Sequence, residues 1–270
     1  MNSIPRSEHP KPQFQRDSWM NLNGLWAFEI DNGRSGKARG LSAADAQLSG
    51  QILVPFCPQS ELSGVNHKDF LFGVWYRRTF ELTKEQLSGR VALHFGAVDY
   101  RCEAFVNGVS VGTHTGGYVS FCFDVTEAVR EGENVLTVYA EDDERDPLIP
   151  RGKQSELFYS HGCDYTRTTG IWQTVWLEFL PETHIEKIKI FPSVETGSFD
   201  VEALLKGAGT LTVEAAYEGR PMGAASVKAD GGLVRLHLPL QETHMWELGC
   251  GRLYDLKLTY GADTVQSYAG

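Results

Sequence analysis

Long apolar runs are missing from this 270-residue chain. None approaches the ~20 residues that cross a bilayer, and the opening MNSIPRSEHP has no apolar segment of the kind a secretory signal needs. Both absences predict a soluble protein outside the membrane, with the cytoplasm as its compartment. Cysteine is sparse: Cys57, Cys102, Cys122, Cys163 and Cys250 make an odd number, widely scattered and without a C-x-x-C pair. That spacing supports neither a disulfide framework nor a structural zinc site, and it suits a reducing compartment. The eight histidines are equally dispersed, so the sequence predicts no metal ligands and no cofactor. Basic residues are outnumbered, 25 against 35 acidic ones, and the resulting net charge of −10 would repel nucleic acid over most of the surface.

Catalytic signatures are absent too. There is no G-x-S-x-G elbow, no G-x-x-x-x-G-K-[ST] loop, no dinucleotide-binding glycine fingerprint and no H-E-x-x-H. Carboxylates abound, but no pair can be assigned as general acid and nucleophile from spacing. No catalytic residue is therefore expected in the chain itself.

What the chain does contain is short strands. Its apolar fraction of 41% and aromatic fraction of 11% support a packed core. Its length admits one large all-β domain or two of ordinary size. In RCEAFVNGVSVGTH, Asn107-Gly108 separates two alternating runs and predicts a two-residue hairpin turn. VALHFGAV precedes it, and VSFCFDV and NVLTVYAED follow at the spacing of a sandwich, with DVTEAVREGEN as one helical turn or a long loop. Near Leu180-Pro181 the character changes. HIEKIKIFPSV, GTLTVEAAYEG, LVRLHLPL and RLYDLKLTYG then form a second, less aromatic series of immunoglobulin-like size. Domains of residues 1–181 and 182–270 are predicted. The strand-like ending DTVQSYAG, without a polar tail, suggests a chain cut from something longer.

One stretch stands apart: YTRTTGIWQTVWLE, Tyr165 to Glu178. Its second half, Ile171 to Phe179, alternates like a strand with bulk on both faces, while a polar, basic loop introduces it. Asp164, Tyr165 and Arg167 fall within four residues. A carboxylate beside a guanidinium can grip vicinal hydroxyls, and an aromatic face can stack on a sugar ring. The same residues are equally a surface Asp-Arg pair beside a core aromatic. Trp172 and Trp176, on one strand face, form either a sugar-stacking platform or packing between sheets or domains. HTGGY (His114 to Tyr118) reads as a structural turn, and PRGKQ (Pro150 to Gln154) as a solvated basic loop.

Six segments together resemble glycoside hydrolase family 2, whose members include β-galactosidases, β-glucuronidases and β-mannosidases. They are NLNGLWAF (Asn21 to Phe28), VPFCPQSELSG (Val54 to Gly64), GVWYRRTF (Gly73 to Phe80), Leu93 to Thr126, GENVLTVYAED (Gly132 to Asp142) and TRTTGIWQTVWLE (Thr166 to Glu178). They run in the family's order across residues 20 to 180. The resemblance implies a jelly-roll (galactose-binding-like) sugar-binding domain, then an immunoglobulin-like β-sandwich. It also implies a catalytic TIM barrel that would lie outside this chain. In relatives an aspartate six residues before the glycine of the GI step binds sugar hydroxyls. Gly170 is that glycine, so the resemblance gives Asp164 this role, with Arg167 at a position where some members have arginine. Another family sugar contact lies in the region of Asn66 and His67. The implied function is a non-catalytic part of a retaining β-glycosidase, whose partners are the terminal sugar of a β-glycoside and its own barrel. Two alternatives stay open: a free-standing carbohydrate-binding module, and a structural module that forms a homo-oligomer.

Overall fold

The computed structural model describes residues 4–143 and 145–270. Its regular elements are antiparallel strands, and the described residues contain no α-helix, only a 3-10 turn at Glu61–Ser63 capped by the Ser60 side chain. The chain divides into two compact units. One comprises the residues up to Glu8 together with Trp19–Phe179, the other His9–Ser18 together with Leu180–Gly270. A single cut at 181/182 therefore misplaces His9–Ser18: Phe14 packs on the core of the second unit, and Gln15 pairs with Gln266.

The first unit holds β1 (Trp19–Asn21), β2 (Gly24–Ile30), β3 (Gly50–Val54), β4 (Gly73–Leu82), β5 (Arg90–Phe95), β6 (Val98–Asp99), β7 (Arg101–Val106), β8 (Val109–Thr115), β9 (Phe121–Asp124), β10 (Gly132–Glu141), β11 (Gly170–Ile171) and β12 (Val175–Leu180). They form a six-stranded sheet, β3-β2-β4-β10-β7-β8, a four-stranded sheet, β1-β12-β5-β9, and a β11-β6 pair. Period-two alternation makes the sandwich. Val74, Tyr76, Phe80 and Leu82 of β4 enter the main core with Leu136, Val138 and Ala140 of β10 and with Leu93, Phe95, Val175 and Leu177 from the four-stranded sheet. The opposite face of β4 and β10 carries a smaller cluster in which Trp75 stacks on Tyr139 at 4.5 Å beneath Leu41. Asn107 and Gly108 both have positive φ and close the β7–β8 hairpin. The DVTEAVREGEN segment makes a single turn, with Asp124 Oδ1 accepting from the Thr126 amide.

In the second unit, β13 (His184–Ser193), β14 (Ser198–Lys206), β15 (Gly209–Tyr217), β16 (Arg220–Ala229), β17 (Gly232–Pro239), β18 (Tyr254–Tyr260) and β19 (Asp263–Ala269) build sheets β13-β14-β17 and β16-β15-β18-β19. This seven-stranded immunoglobulin-like sandwich closes over Phe199, Val201, Leu205, Leu211, Val213, Leu256 and Leu258.

The predicted strand from Ile171 to Phe179 is interrupted. β11 pairs with β6, β12 pairs with β1, and Trp172–Thr174 turn between them. The break follows from two anchors: the Trp172 indole N–H donates to Gly117 O at 2.8 Å, and Thr174 O accepts from the Gly96 amide. Trp176 is buried against His94, ring on ring at 4.8 Å, with its N–H on Glu178. It cannot serve as an open stacking platform.

Candidate functional site

Between β10 and β11 the described residues of 142–169 form no regular element, and side chains of this segment fix its course. Arg167 does most of this. Its side chain is 1% exposed, and its terminal nitrogens donate to the carbonyls of Ser155, Leu157, Phe158 and Lys68. The guanidinium lies 4.3 Å from the centre of the Phe70 ring, whose other neighbour is the Arg145 guanidinium at 3.7 Å. A planar cation with five N–H groups is the side chain best suited to gather several carbonyls at once.

A second fastening lies under the loop. Gln154 donates from Nε2 to Asp99 Oδ2 at 2.8 Å and accepts the Thr168 amide at 2.6 Å, so one amide side chain ties both flanks of the loop to β6. Asp99 is only 2% exposed. Burial pushes its carboxyl up to about 6, against a smaller opposing effect of the Gln154 hydrogen bond. Gly117 passes so close to Asp99 that a Cβ there would lie 2.1 Å from the carboxylate oxygen. HTGGY is thus a structural turn with a steric reason for its second glycine, and its Tyr118 hydroxyl donates to Arg151 O at 2.8 Å. Farther along, Thr169 accepts from Gln59 at 2.9 Å and donates to Asp142 at 3.3 Å. Gly170 then enters β11 with φ +75, where a Cβ would meet the Tyr76 hydroxyl at 2.2 Å.

On this base the tip of the loop is a tight turn. The His161 amide donates to Asp164 O at 3.1 Å, and the Asp164 amide returns to His161 O at 2.7 Å, with Gly162 in the left-handed region. The turn sets both side chains on one side. His161 Nε2 lies 3.9 Å from Asp164 Oδ2 and 3.6 Å from Glu156 Oε2, and Arg151 bonds the same Glu156 oxygen at 3.0 Å. The Glu156 carboxyl is held below its usual range, first by its own backbone amide and then by Arg151 and His161. One donor atom each from Glu156, His161 and Asp164 falls within 4.8 Å of the others, a set that the spacing of histidines in the sequence did not reveal. These oxygen and nitrogen donors match what a divalent cation takes, although Glu156 is exposed and the other two only half-buried.

The three residues singled out in the sequence therefore separate. Asp164 is half-buried at the turn, Tyr165 is 61% exposed beside it, and Arg167 is withdrawn beneath them. Arg167 is not positioned as a partner of Asp164 in a forked grip on hydroxyls, because its fork is already spent on backbone carbonyls. Around Tyr165 the loop exposes Leu157, Phe158 and Tyr159, an apolar and aromatic surface on a fixed backbone. Such a tip can accept hydroxyl protons through Asp164 and offer ring faces through the tyrosines. Asp99, Glu156 and His161 escaped the sequence reading, and Gln154, read there as the end of a solvated basic loop, is instead buried because its amide bonds Asp99 and Thr168. Only the glycine pair of HTGGY hinted at the close approach over Asp99.

Residues 19–181 match the family described as glycosyl hydrolases family 2, sugar binding domain. Among curated proteins, the chain is 35% identical over 123 residues to a β-galactosidase of Thermoanaerobacter pseudethanolicus, covering 45% of this chain and 16% of that protein. It is 27% identical over 251 residues to the β-glucuronidase of Felis catus, covering 83% and 38%. The chain thus spans well under half the length of these relatives. Among solved structures, the β-glucuronidase of Ruminococcus gnavus in complex with uronic deoxynojirimycin superposes with a TM-score of 0.75 at 20% identity over 95% of this chain and 46% of that one. Lactobacillus rhamnosus β-glucuronidase gives 0.75 at 23%, over 95% and 45%. At those identities the structural likeness carries the fold. From the match over residues 19–181, the chain belongs to glycosyl hydrolase family 2.

Proposed function

We propose that this chain is a non-catalytic part of a family 2 β-glycosidase, and that it contributes Asp164 to the binding of the terminal sugar of a β-glycoside. The observation that carries this reading is the loop tip. Asp164 is presented on a tight turn whose supporting segment is fastened by Arg167 and Gln154, with exposed tyrosines on either side of it. A carboxylate held in one place accepts hydrogen bonds from sugar hydroxyls without first losing conformational freedom. An open surface with one such group does not enclose a sugar, so the rest of the pocket comes from a catalytic barrel elsewhere in the protein. There one carboxylic acid protonates the glycosidic oxygen while a second carboxylate attacks the anomeric carbon, the retaining arrangement. Tyr165 offers its ring face to the sugar beside Asp164, and Phe158 and Tyr159 form the surface on which that barrel packs.

Hydrolysis of a panel of nitrophenyl β-glycosides tests the reading, with this chain alone and with the protein extended by the following several hundred residues. Activity only in the extended form, with kcat/KM falling at least tenfold in Asp164→Ala while unfolding is unchanged, is the expected outcome. Sugar binding by the isolated chain, with no activity in the extended form, would support a free-standing binding module instead.

A further inference from the structure

The segment His9–Ser18 interrupts the first unit in sequence, yet it belongs to the second and bonds to it through Gln13, Gln15 and Arg16. Gln15 pairs with Gln266 across the outer edge of β19, donating at 2.9 Å and accepting at 2.8 Å. The Ser267 hydroxyl donates to Gln13 O at 2.7 Å, and the Gln13 side-chain Nε2 donates to Tyr268 O at 3.3 Å. Period-two alternation then sends Phe14 and Arg16 to the same face. Phe14 packs on the second core, and the Arg16 guanidinium lies 4.8 Å from the centre of its ring. Arg16 grips Asp263 with two bonds, Nε to Oδ1 at 2.8 Å and NH2 to Oδ2 at 2.9 Å, and also donates to Ile185 O. Asp263 Oδ2 in turn accepts the Ile185 amide at 2.9 Å. Both charged side chains are almost completely buried, 4% and 3% exposed.

We propose that His9–Ser18 is a docked clamp, and that the β19 edge of the second unit is a binding groove for a segment carrying Phe-x-Arg. Three features make it a groove with a chosen occupant rather than an edge that happens to be covered. The reciprocal bridge between Gln15 and Gln266 supplies two sequence-independent backbone hydrogen bonds at the sheet edge. Phe14 fills an apolar place beside the core, and Asp263 fixes the register by accepting a cation two residues farther on. Without that cation, Asp263 is a carboxylate buried beside β13 with no countercharge, which a fold tolerates poorly. An uncovered β19 would also present a bare strand edge, the usual starting point for pairing with another chain.

Hydrogen exchange on the full chain carrying Gln15→Pro and Arg16→Met tests the proposal. The first change removes an edge hydrogen bond, the second the cation. Amides of β19 should lose protection by at least about 30-fold while those of β4 and β10 keep theirs. A synthetic HPKPQFQRDS peptide should restore β19 protection, and the same peptide with Arg16→Ala should not. Unchanged β19 protection, or equal loss in β4 and β10, overturns the proposal. Should that variant fail to fold, protease sites placed after Glu8 and after Ser18 allow the segment to be cut out of the folded wild-type chain. A cut segment retained through gel filtration, or β19 protection that falls as it leaves, supports the proposal. Protection indifferent to its departure overturns it.

Discussion

Asp99→Asn should stabilise the first unit at neutral pH, with a gain that disappears in acid. In the folded protein the Asp99 carboxyl keeps its proton up to about 6, because it is buried beneath Gly117 and Gln154, whereas the ordinary value is 3.8. Folding therefore takes up a proton between those two values, and the fold weakens as pH rises from 3.8 through 6. The gap, 6 − 3.8, is about 2.2 pH units, which at 1.36 kcal/mol each amounts to about 3 kcal/mol lost to Asp99 ionisation at pH 7. Asparagine has nearly the same shape, keeps an oxygen to accept the Gln154 amide, and has no charge to bury. Urea unfolding of the two proteins, followed by tryptophan fluorescence at pH 4, 5 and 7, measures the difference. It should be near zero at pH 4 and reach about 1–3 kcal/mol in favour of asparagine at pH 7. A difference independent of pH, or a destabilised Asp99→Asn protein at pH 7, would refute the reasoning.

Two further outcomes are expected. Arg167→Met preserves bulk over Phe70 but leaves the carbonyls of Ser155, Leu157, Phe158 and Lys68 without their donor. It should cost about 3 kcal/mol or more in urea unfolding and open residues 155–165 to limited proteolysis, whereas a solvated surface arginine would change neither. Cysteine labelling should also discriminate by burial. At pH 7.5 an alkylating agent should add to the exposed Cys122, Cys163 and Cys250, while Cys102, buried with its thiol pushed up to about 12, stays unmodified in intact-mass spectra until the protein unfolds.

Legibility in the sequence followed the physics of each element. Asn107-Gly108 announced its hairpin because few residues other than glycine and asparagine readily take two successive positive φ angles. Strand β14 was within reach, since Phe199, Val201, Ala203 and Leu205 alternate inward, but it was passed over beside its louder neighbours. Strand β16 gave almost no signal. It is an edge strand with Pro221, Gly223 and three alanines, and the ladder gains its last two pairings only through a register shift at Ala215/Ala216. The continuous strand read from Ile171 to Phe179 failed because alternation survives a kink when both halves resume in phase. Of the site, Asp164 and the glycine after it were visible through resemblance. The inward turn of Arg167 was not, because a loop arginine reads the same whether its partners are sugar hydroxyls or the carbonyls of Ser155, Leu157, Phe158 and Lys68. Asp99 was still less visible: one acid at a strand end carries no mark of what will cover it.

The place of His9–Ser18 in the second unit bears on how the protein is made. Gln15 leaves the ribosome 251 residues before Gln266, since 266 − 15 = 251. At synthesis rates of about 5–20 residues per second, that interval is roughly 10–50 s. During it the first unit can complete its own sheets, while Phe14 and Arg16 remain in water with neither core nor countercharge. The second sandwich therefore closes after the first, and its closure brings Gln15 and Gln266 together in one backbone bridge. Any exchange of the first unit between related genes has to carry this early segment along with a matching late strand, or leave both behind.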